Sequence, residues 1–169
     1  MRLRIFIFSL LIIGFIFFFS LQGGAVDLNA PAEKKVTVGS EIRRGISAID
    51  DADLKIKGTD HLGRLEAFAA VFNCNQQANT DTQAFHLGAS LAALSSLDIT
   101  LNLAAQNPNS IFYPPREIQL IEGSAKLYFK AVRKIQKELN MDDQTLLQAT
   151  PYKPDLLKAN LYRWDKKFK

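Results

Sequence analysis

The sequence predicts an all-α protein: a small helical bundle with three main helices plus short C-terminal helices, behind an N-terminal signal peptide or membrane anchor. Three observations predict this class. Apolar residues recur at steps of three and four over most of residues 60–169, several segments begin with capping residues or proline, and strand-like alternation is confined to residues 54–57. The chain has 169 residues, 47% of them hydrophobic, which is enough for one folded domain.

The N-terminus carries an apolar segment that predicts export. Arg2 and Arg4 precede an almost unbroken apolar run over residues 5–21, and small residues follow, which is typical of a signal peptide cleaved after Ala25. The same run, about 26 Å long as a helix, could instead remain as a membrane anchor. Both alternatives place the rest of the chain outside the cytoplasm, either periplasmic or secreted, or anchored in the inner membrane.

The sequence divides into three segments. They are a signal peptide or anchor over residues 1–25, an extended linker over 26–59 and a helical domain over 60–169. The linker has few large apolar residues and is punctuated by proline and glycine, which favours a tether.

A short helix is nevertheless possible inside the linker. Ser40 could cap it, and isoleucines at positions 42, 46 and 49 would share one face. Gly45 counts against it, because glycine destabilises a helix interior by about 1 kcal/mol. The acidic run at residues 50–53 lacks the spacing of a calcium loop, so we interpret it as a solvated helix end.

The helical domain shows a recognisable start for each helix. Asp60 is the predicted cap of the first main helix, Thr80 begins the second, and Pro114-Pro115 begins the third. The second is apolar around most of its circumference and is predicted to be the central helix. Short helices are predicted after Asp142-Asp143 and from Pro154. The third helix has the clearest apolar stripe: Ile118, Ile121, Ala125, Tyr128, Val132, Ile135 and Leu139.

Side chains suited to catalysis are few, so the chain is predicted not to be an enzyme, and no catalytic, cofactor or metal site is assigned. Two histidines, His61 and His86, accompany one cysteine, Cys74. Their spacing provides neither a local pair of metal ligands nor the orienting group that an activated thiol needs. We therefore interpret Cys74 as a small buried residue. Nucleic acid is excluded as a partner, because an exported chain without a recognisable nucleic-acid module is unsuited to it.

Charge is distributed unevenly along the chain. Residues 26–112 contain seven Lys or Arg against ten Asp or Glu, whereas residues 113–169 contain twelve against seven. The two halves could dock on each other or on a partner. A basic row lies opposite the stripe of the third helix: Lys126, Lys130, Arg133, Lys134 and Lys137. This row is either the solvent side of an amphipathic helix or a contact surface for anionic lipid or an acidic protein.

The loop before the third helix, over residues 106–113, ends in Ile111, Phe112 and Tyr113. Large apolar and aromatic side chains dominate protein interfaces, so this loop could enter another protein's active site as a plug. Alternatively, the three side chains fold back onto the helix start as a hydrophobic staple.

Several segments together resemble a known family. They are Cys74, residues 82–94 (TQAFHLGASLAAL), residues 112–121 (FYPPREIQLI) and Tyr128-Phe129. This pattern resembles the Rap/Tai immunity proteins of type VI secretion, and the resemblance implies a small exported helical protein that binds and blocks a peptidoglycan amidase. That family usually has further cysteines near the positions of His86 and Tyr113, and this chain has a longer N-terminal extension. No family binding residue is therefore assigned.

These observations predict an exported, non-enzymatic protein-binding domain. Its partner would be a cell-wall hydrolase effector, which the chain would inhibit as a periplasmic immunity protein. The alternative is a structural or accessory component of a cell-envelope or secretion assembly. Membrane association through residues 5–21 would favour the second role, since a diffusing inhibitor gains nothing from an anchor.

Overall fold

Six helices and no strand make up the part of the chain that the structure describes. A computed structural model describes residues 32–74 and 79–168. Within these ranges the all-α prediction is confirmed. The predicted signal peptide or anchor, with its cleavage at Ala25, lies outside the described residues. The helices are α1 (Ala32–Asp53), α2 (His61–Asn73), α3 (Thr80–Gln106), α4 (Pro115–Glu138), α5 (Asp143–Ala149) and α6 (Pro154–Phe168).

Helix α3 forms the centre of the bundle, as its apolar circumference predicts. Almost every residue from Thr82 to Leu94 is buried, and α1 and α4 make its most extensive contacts. Within the described residues, α3 alone is long and apolar enough to cross a membrane. Because most of it is buried inside the bundle, its composition is explained by its place in the core.

Helix α1 differs from the prediction of an extended linker. Residues 32–53 form a 22-residue helix, and Ile42, Ile46 and Ile49 are buried against α3. The predicted face of three isoleucines is correct, whereas the predicted start at Ser40 is wrong, because the helix already begins at Ala32. The bundle thus has a fourth main helix, and its core extends N-terminal of the boundary predicted at residue 60.

Gly45 and Gly88 are the physical reason that α1 can pack on α3. A Cβ at Gly45 would lie only 2.8 Å from the amide nitrogen of Ala89, and it would overlap the carbonyl oxygen of Phe85. A Cβ at Gly88 would lie 2.7 Å from the carbonyl carbon of Ile42. The two backbones are therefore in direct contact at this crossing, and only glycine leaves room for it.

The remaining helix starts confirm the predictions from capping. Asp60 accepts a hydrogen bond from the Gly63 amide at 2.9 Å, and Pro115 begins α4. Asp142 caps α5 by accepting from the Thr145 amide at 2.7 Å. Helix α2 ends at Asn73, and Cys74 after it is exposed, so the prediction of a buried cysteine is wrong. The helix end leaves this side chain outside the core rather than within it.

Helices α5 and α6 close the other end of the bundle. Asn140 adopts the left-handed conformation (φ 50°) and ends α4 in the expected place. The buried face of α6 packs into the core, and Phe168 at its end meets Phe129 of α4 with ring centroids 5.9 Å apart. Its buried residues are Leu157, Leu161, Trp164 and Phe168.

Candidate functional site

A cavity of about 390 Å³ opens between the C-terminal end of α1, the start of α2 and the middle of α3. The loop before α4 and the segment between α5 and α6 contribute Tyr113 and Tyr152. Polar and charged side chains gather on its α1 and α2 walls, while Ile99 and Leu103 line the α3 wall. The cavity thus combines fixed charge with apolar surface, which is typical of binding sites.

Asp53 and Arg64 form the best-defined polar contact of the cavity. Arg64 Nε donates to Asp53 Oδ1 at 2.6 Å, and the hydroxyl of Ser96 donates to Asp53 Oδ2 at 2.5 Å. One carboxylate therefore joins α1, α2 and α3. Its half-buried position differs from the interpretation of residues 50–53 as a solvated helix end, which fits only the exposed Asp50 and Asp51.

His61 fixes the loop before α4 to the start of α2. Its ring is buried, stacks on Tyr113 at a centroid distance of 5.6 Å, and lies with Nε2 2.9 Å from the carbonyl oxygen of Phe112. Arg64 Nη1 lies 3.4 Å from Nδ1 on the other side of the ring. Because a guanidinium only donates, Nδ1 accepts, and Nε2 carries the hydrogen that is donated to Phe112.

The three loop residues predicted as a plug behave in two different ways. Tyr113 is half-buried and stacks on His61 of α2, rather than on the start of α4 as the staple alternative predicts. Ile111 and Phe112 are 85% and 58% exposed, so the fold does not enclose them. Two backbone hydrogen bonds, from Ser110 to Asn107 and from Tyr113 to Ser110, hold the loop in a compact turn.

Two exposed apolar residues of α3 lie at the same cavity. Ile99 is 61% exposed and Leu103 is 43% exposed, and both line its wall. Ile111 and Phe112 do not line the cavity, but they directly precede Tyr113, which does. We call the cavity and these four residues the groove face. Exposed apolar surface next to a preformed cavity is characteristic of a binding surface.

Asp50 and Tyr152 face each other at the α1 side of the cavity. Burial raises the pKa of Asp50, and the neighbouring carboxylates of Asp53 and Asp51 raise it further. Burial also raises the pKa of Tyr152, and the charge of Asp50 adds to that effect against an opposing hydrogen bond with Ser95. Partial loss of solvent is the main cause of both pKa shifts, and neighbouring negative charge adds to it.

The five residues of the predicted basic row of α4 are not all in the same environment. Lys126, Lys130 and Lys137 are exposed, and Lys134 pairs with Glu138 within the helix at 3.6 Å. Arg133 instead points to the C-terminal helices, where its Nη1 and Nη2 lie 2.5 Å from Asp143 and Asp165 respectively. The structure therefore places four of the five residues on the surface of α4 and one in a partly exposed ion-pair network with α5 and α6.

Replacing Arg133 with Ala is expected to lower the free energy of unfolding by about 1–2 kcal/mol, because it leaves the carboxylates of α5 and α6 without their shared partner. Lys130→Ala, on the exposed side of the same helix, should change stability by less than about 0.5 kcal/mol. Urea unfolding of both variants measures the difference. Equal effects would show that Arg133 contributes no more than a surface lysine.

The cysteine and the second histidine do not form a reactive pair. Cys74 is exposed at the end of α2, whereas His86 is buried between the rings of Phe72 and Phe85, at centroid distances of 5.5 and 5.8 Å. In residues 32–74 and 79–168, no three His, Cys, Asp or Glu side chains are grouped as metal ligands. His86 therefore serves as a packing residue of the core.

Neither the family models, nor the curated proteins, nor the solved structures give a match to the chain.

Proposed function

We propose that the chain is an exported, non-enzymatic protein-binding domain that engages its partner through the groove face. The observation that carries this proposal is the position of Ile111 and Phe112. Both are exposed on a loop whose backbone is held by His61. Large apolar side chains of this kind supply most of the binding energy at protein interfaces when a partner buries them.

The fixed loop backbone supports a binding role over a merely mobile surface loop. A loop that is already ordered loses little conformational entropy when it binds, so more of its contact energy contributes to affinity. The hydrogen bond at Phe112 and the stacking of Tyr113 provide this order at the two residues beside the exposed pair. His61, buried and paired on both ring nitrogens, acts as the support of the loop.

The partner class that we propose is a cell-wall hydrolase, which the chain inhibits by placing the loop over its active site. A protruding turn with two apolar side chains is suited to entering a cleft, and the resemblance to immunity proteins implies this partner class. Export rests on the apolar segment over residues 5–21. The alternative role, a component of an envelope assembly, uses the same surface with a different partner.

The double variant Ile111→Ser, Phe112→Ser is expected to lose partner capture while keeping its thermal stability, because both side chains are exposed and lie outside the core. Protein purified from cells that express the full chain is immobilised, exposed to envelope and secreted fractions, and the retained proteins are identified by mass spectrometry. A matched control is Leu156→Ser, Tyr162→Ser, which removes two exposed apolar side chains from α6.

The outcomes of this experiment distinguish the inhibitor role from the assembly role, and both from the absence of binding through the groove face. A single hydrolase that is retained, inhibited and lost only with the loop variant supports the inhibitor. Several envelope components lost with the same variant support the assembly role instead. Retention that is unchanged in the loop variant, or lost equally in the α6 control, contradicts binding through the groove face.

A further inference from the structure

The charges that line the cavity do not cancel. Apart from its two tyrosines, its ionisable groups are Asp50, Asp53, Arg64 and the ring of His61. Arg64 and Asp53 compensate each other through their 2.6 Å contact, and the two hydrogen bonds of His61 fit a neutral ring. One carboxylate, that of Asp50, is left over. No ion pair to Asp50 is formed within the described ranges.

The position of Asp50 makes this surplus negative charge available to a ligand. The residue is exposed at the end of α1, beside a second exposed carboxylate at Asp51. It also lines the cavity opposite the hydroxyl of Tyr152, whose ionisation its charge opposes. A cation placed between Asp50 and Tyr152 would relieve the repulsion among the carboxylates and would lie near an aromatic ring.

The α3 wall of the cavity combines the hydroxyl groups of Ser95, Ser96 and Thr100 with two large apolar side chains. Ile99 and Leu103 lie one turn apart on α3 and are both partly exposed. A ligand that joins a hydrocarbon chain to a cationic head matches this arrangement, because the chain covers the two apolar side chains while the head reaches the carboxylate. Lysine and arginine side chains have this form, and a volume of about 390 Å³ is suited to one such side chain.

We propose that the cavity receives a lysine or arginine side chain of the partner protein, with its head at Asp50 and its stem along Ile99 and Leu103. This inference rests on the proposed function, because the same partner would cover Ile111 and Phe112 of the loop that contributes Tyr113 to the cavity. An acidic side chain is disfavoured, since Arg64 already donates to Asp53 and to His61. The partner segment would therefore carry a basic residue next to apolar ones.

Three short peptides test the proposal directly: acetyl-Leu-Lys-Leu-amide, its Gln analogue and its Glu analogue. Protein from the full chain, with labelled tyrosine rings, is titrated with each peptide, and the NMR shifts of Tyr152 and Tyr113 report binding in the cavity. We expect the lysine peptide to bind at least about tenfold more tightly than either analogue. Equal affinities for the lysine and glutamine peptides, or no binding of the lysine peptide up to about 10 mM, would overturn the proposal.

Two isosteric variants test which carboxylate the lysine peptide needs for binding. Asp50→Asn should remove the tenfold preference for lysine, whereas Asp51→Asn should keep it, because Asp51 is an equally exposed neighbour that does not line the cavity. Loss of the preference in both variants would indicate a diffuse field and would contradict a specific site. Both variants keep the backbone contacts of α1, and thermal unfolding confirms that they are folded.

The same variants separate this inference from the proposed function. If partner capture is lost with Ile111→Ser, Phe112→Ser but is unchanged in Asp50→Asn, the groove face binds protein and the basic side chain does not enter the cavity. If the lysine peptide binds as expected while the loop variant captures the same proteins as the original chain, the cavity site stands and the proposed interface fails.

Discussion

Replacing Gly88 with Ala is expected to be among the most destabilising single substitutions in this protein, with a loss of about 3 kcal/mol in the free energy of unfolding. The added methyl group would lie 2.7 Å from the carbonyl carbon of Ile42 and 2.9 Å from its Cα, both atoms of the α1 backbone. A backbone cannot turn aside as a side chain can, so α1 would have to move away from α3. Separation of these helices would expose Ile42 and Ile46, which are buried at the crossing.

Gly45→Ala tests the same crossing from the other helix and is expected to have an effect of similar size, because its methyl group would meet the backbone of α3 at Phe85 and Ala89. Gly123→Ala is the matched control. Gly123 lies inside α4, and a methyl group added to it would have no neighbour within 4 Å, so alanine there should stabilise the protein by about 0.5–1 kcal/mol.

Guanidinium unfolding of the three variants measures these effects. Opposite signs at Gly88 and Gly123 would establish that contact between helices, and not helix propensity, determines the result. A stabilised Gly88→Ala protein would instead show that α1 does not pack on α3 in solution as described.

These glycines also explain why the sequence predicts α1 poorly and the other helices well. Residues that start a helix act locally, so Asp60, Pro115 and Asp142 mark α2, α4 and α5 without knowledge of the fold. Gly45, considered only with its sequence neighbours, counts against a helix, because glycine has a low helix propensity. Its actual role depends on Phe85 and Ala89, forty residues further along the chain, and no local pattern contains that information.

Local sequence patterns also fail to predict the parts of the candidate site that depend on contacts between distant residues. The prediction of an interface at Ile111 and Phe112 follows from residue type alone and stays a prediction; the structure shows that both side chains are exposed. The cluster of Asp53, Arg64 and Ser96 joins three helices across 11 and 43 residues, so it becomes visible only when the helices are placed. The helical pattern correctly places Arg133 on the polar side of α4. It does not reveal that Arg133 forms ion pairs with α5 and α6, because that depends on where those helices pack.

At Asp98, the acidic first half of the chain forms ion pairs with the basic second half. This residue of α3 is 2% exposed, and its carboxylate oxygens lie 2.5 Å from Arg163 Nη2 and 3.2 Å from Lys167 Nζ. The two cations come from α6 and are 44% and 33% exposed. An acidic residue of the first half is thus neutralised by two basic residues of the second half, which holds α6 on the bundle.

The difference in burial within this triad predicts an asymmetric response to mutation. The double variant Arg163→Gln, Lys167→Gln leaves a buried carboxylate without a cation and is expected to lose about 3 kcal/mol of stability. Asp98→Asn is expected to cost only about 1 kcal/mol, because the two cations can turn toward water and the amide oxygen can still accept a hydrogen bond. Both values come from urea unfolding at neutral pH.

The triple variant provides the decisive comparison. Adding Asp98→Asn to Arg163→Gln, Lys167→Gln removes the uncompensated charge, so it should restore much of the stability that the double variant loses. A mutation that destabilises the original chain would then stabilise the double variant. If the triple variant is no more stable than the double one, the loss arises from the packing of the α6 side chains and not from the buried carboxylate of Asp98.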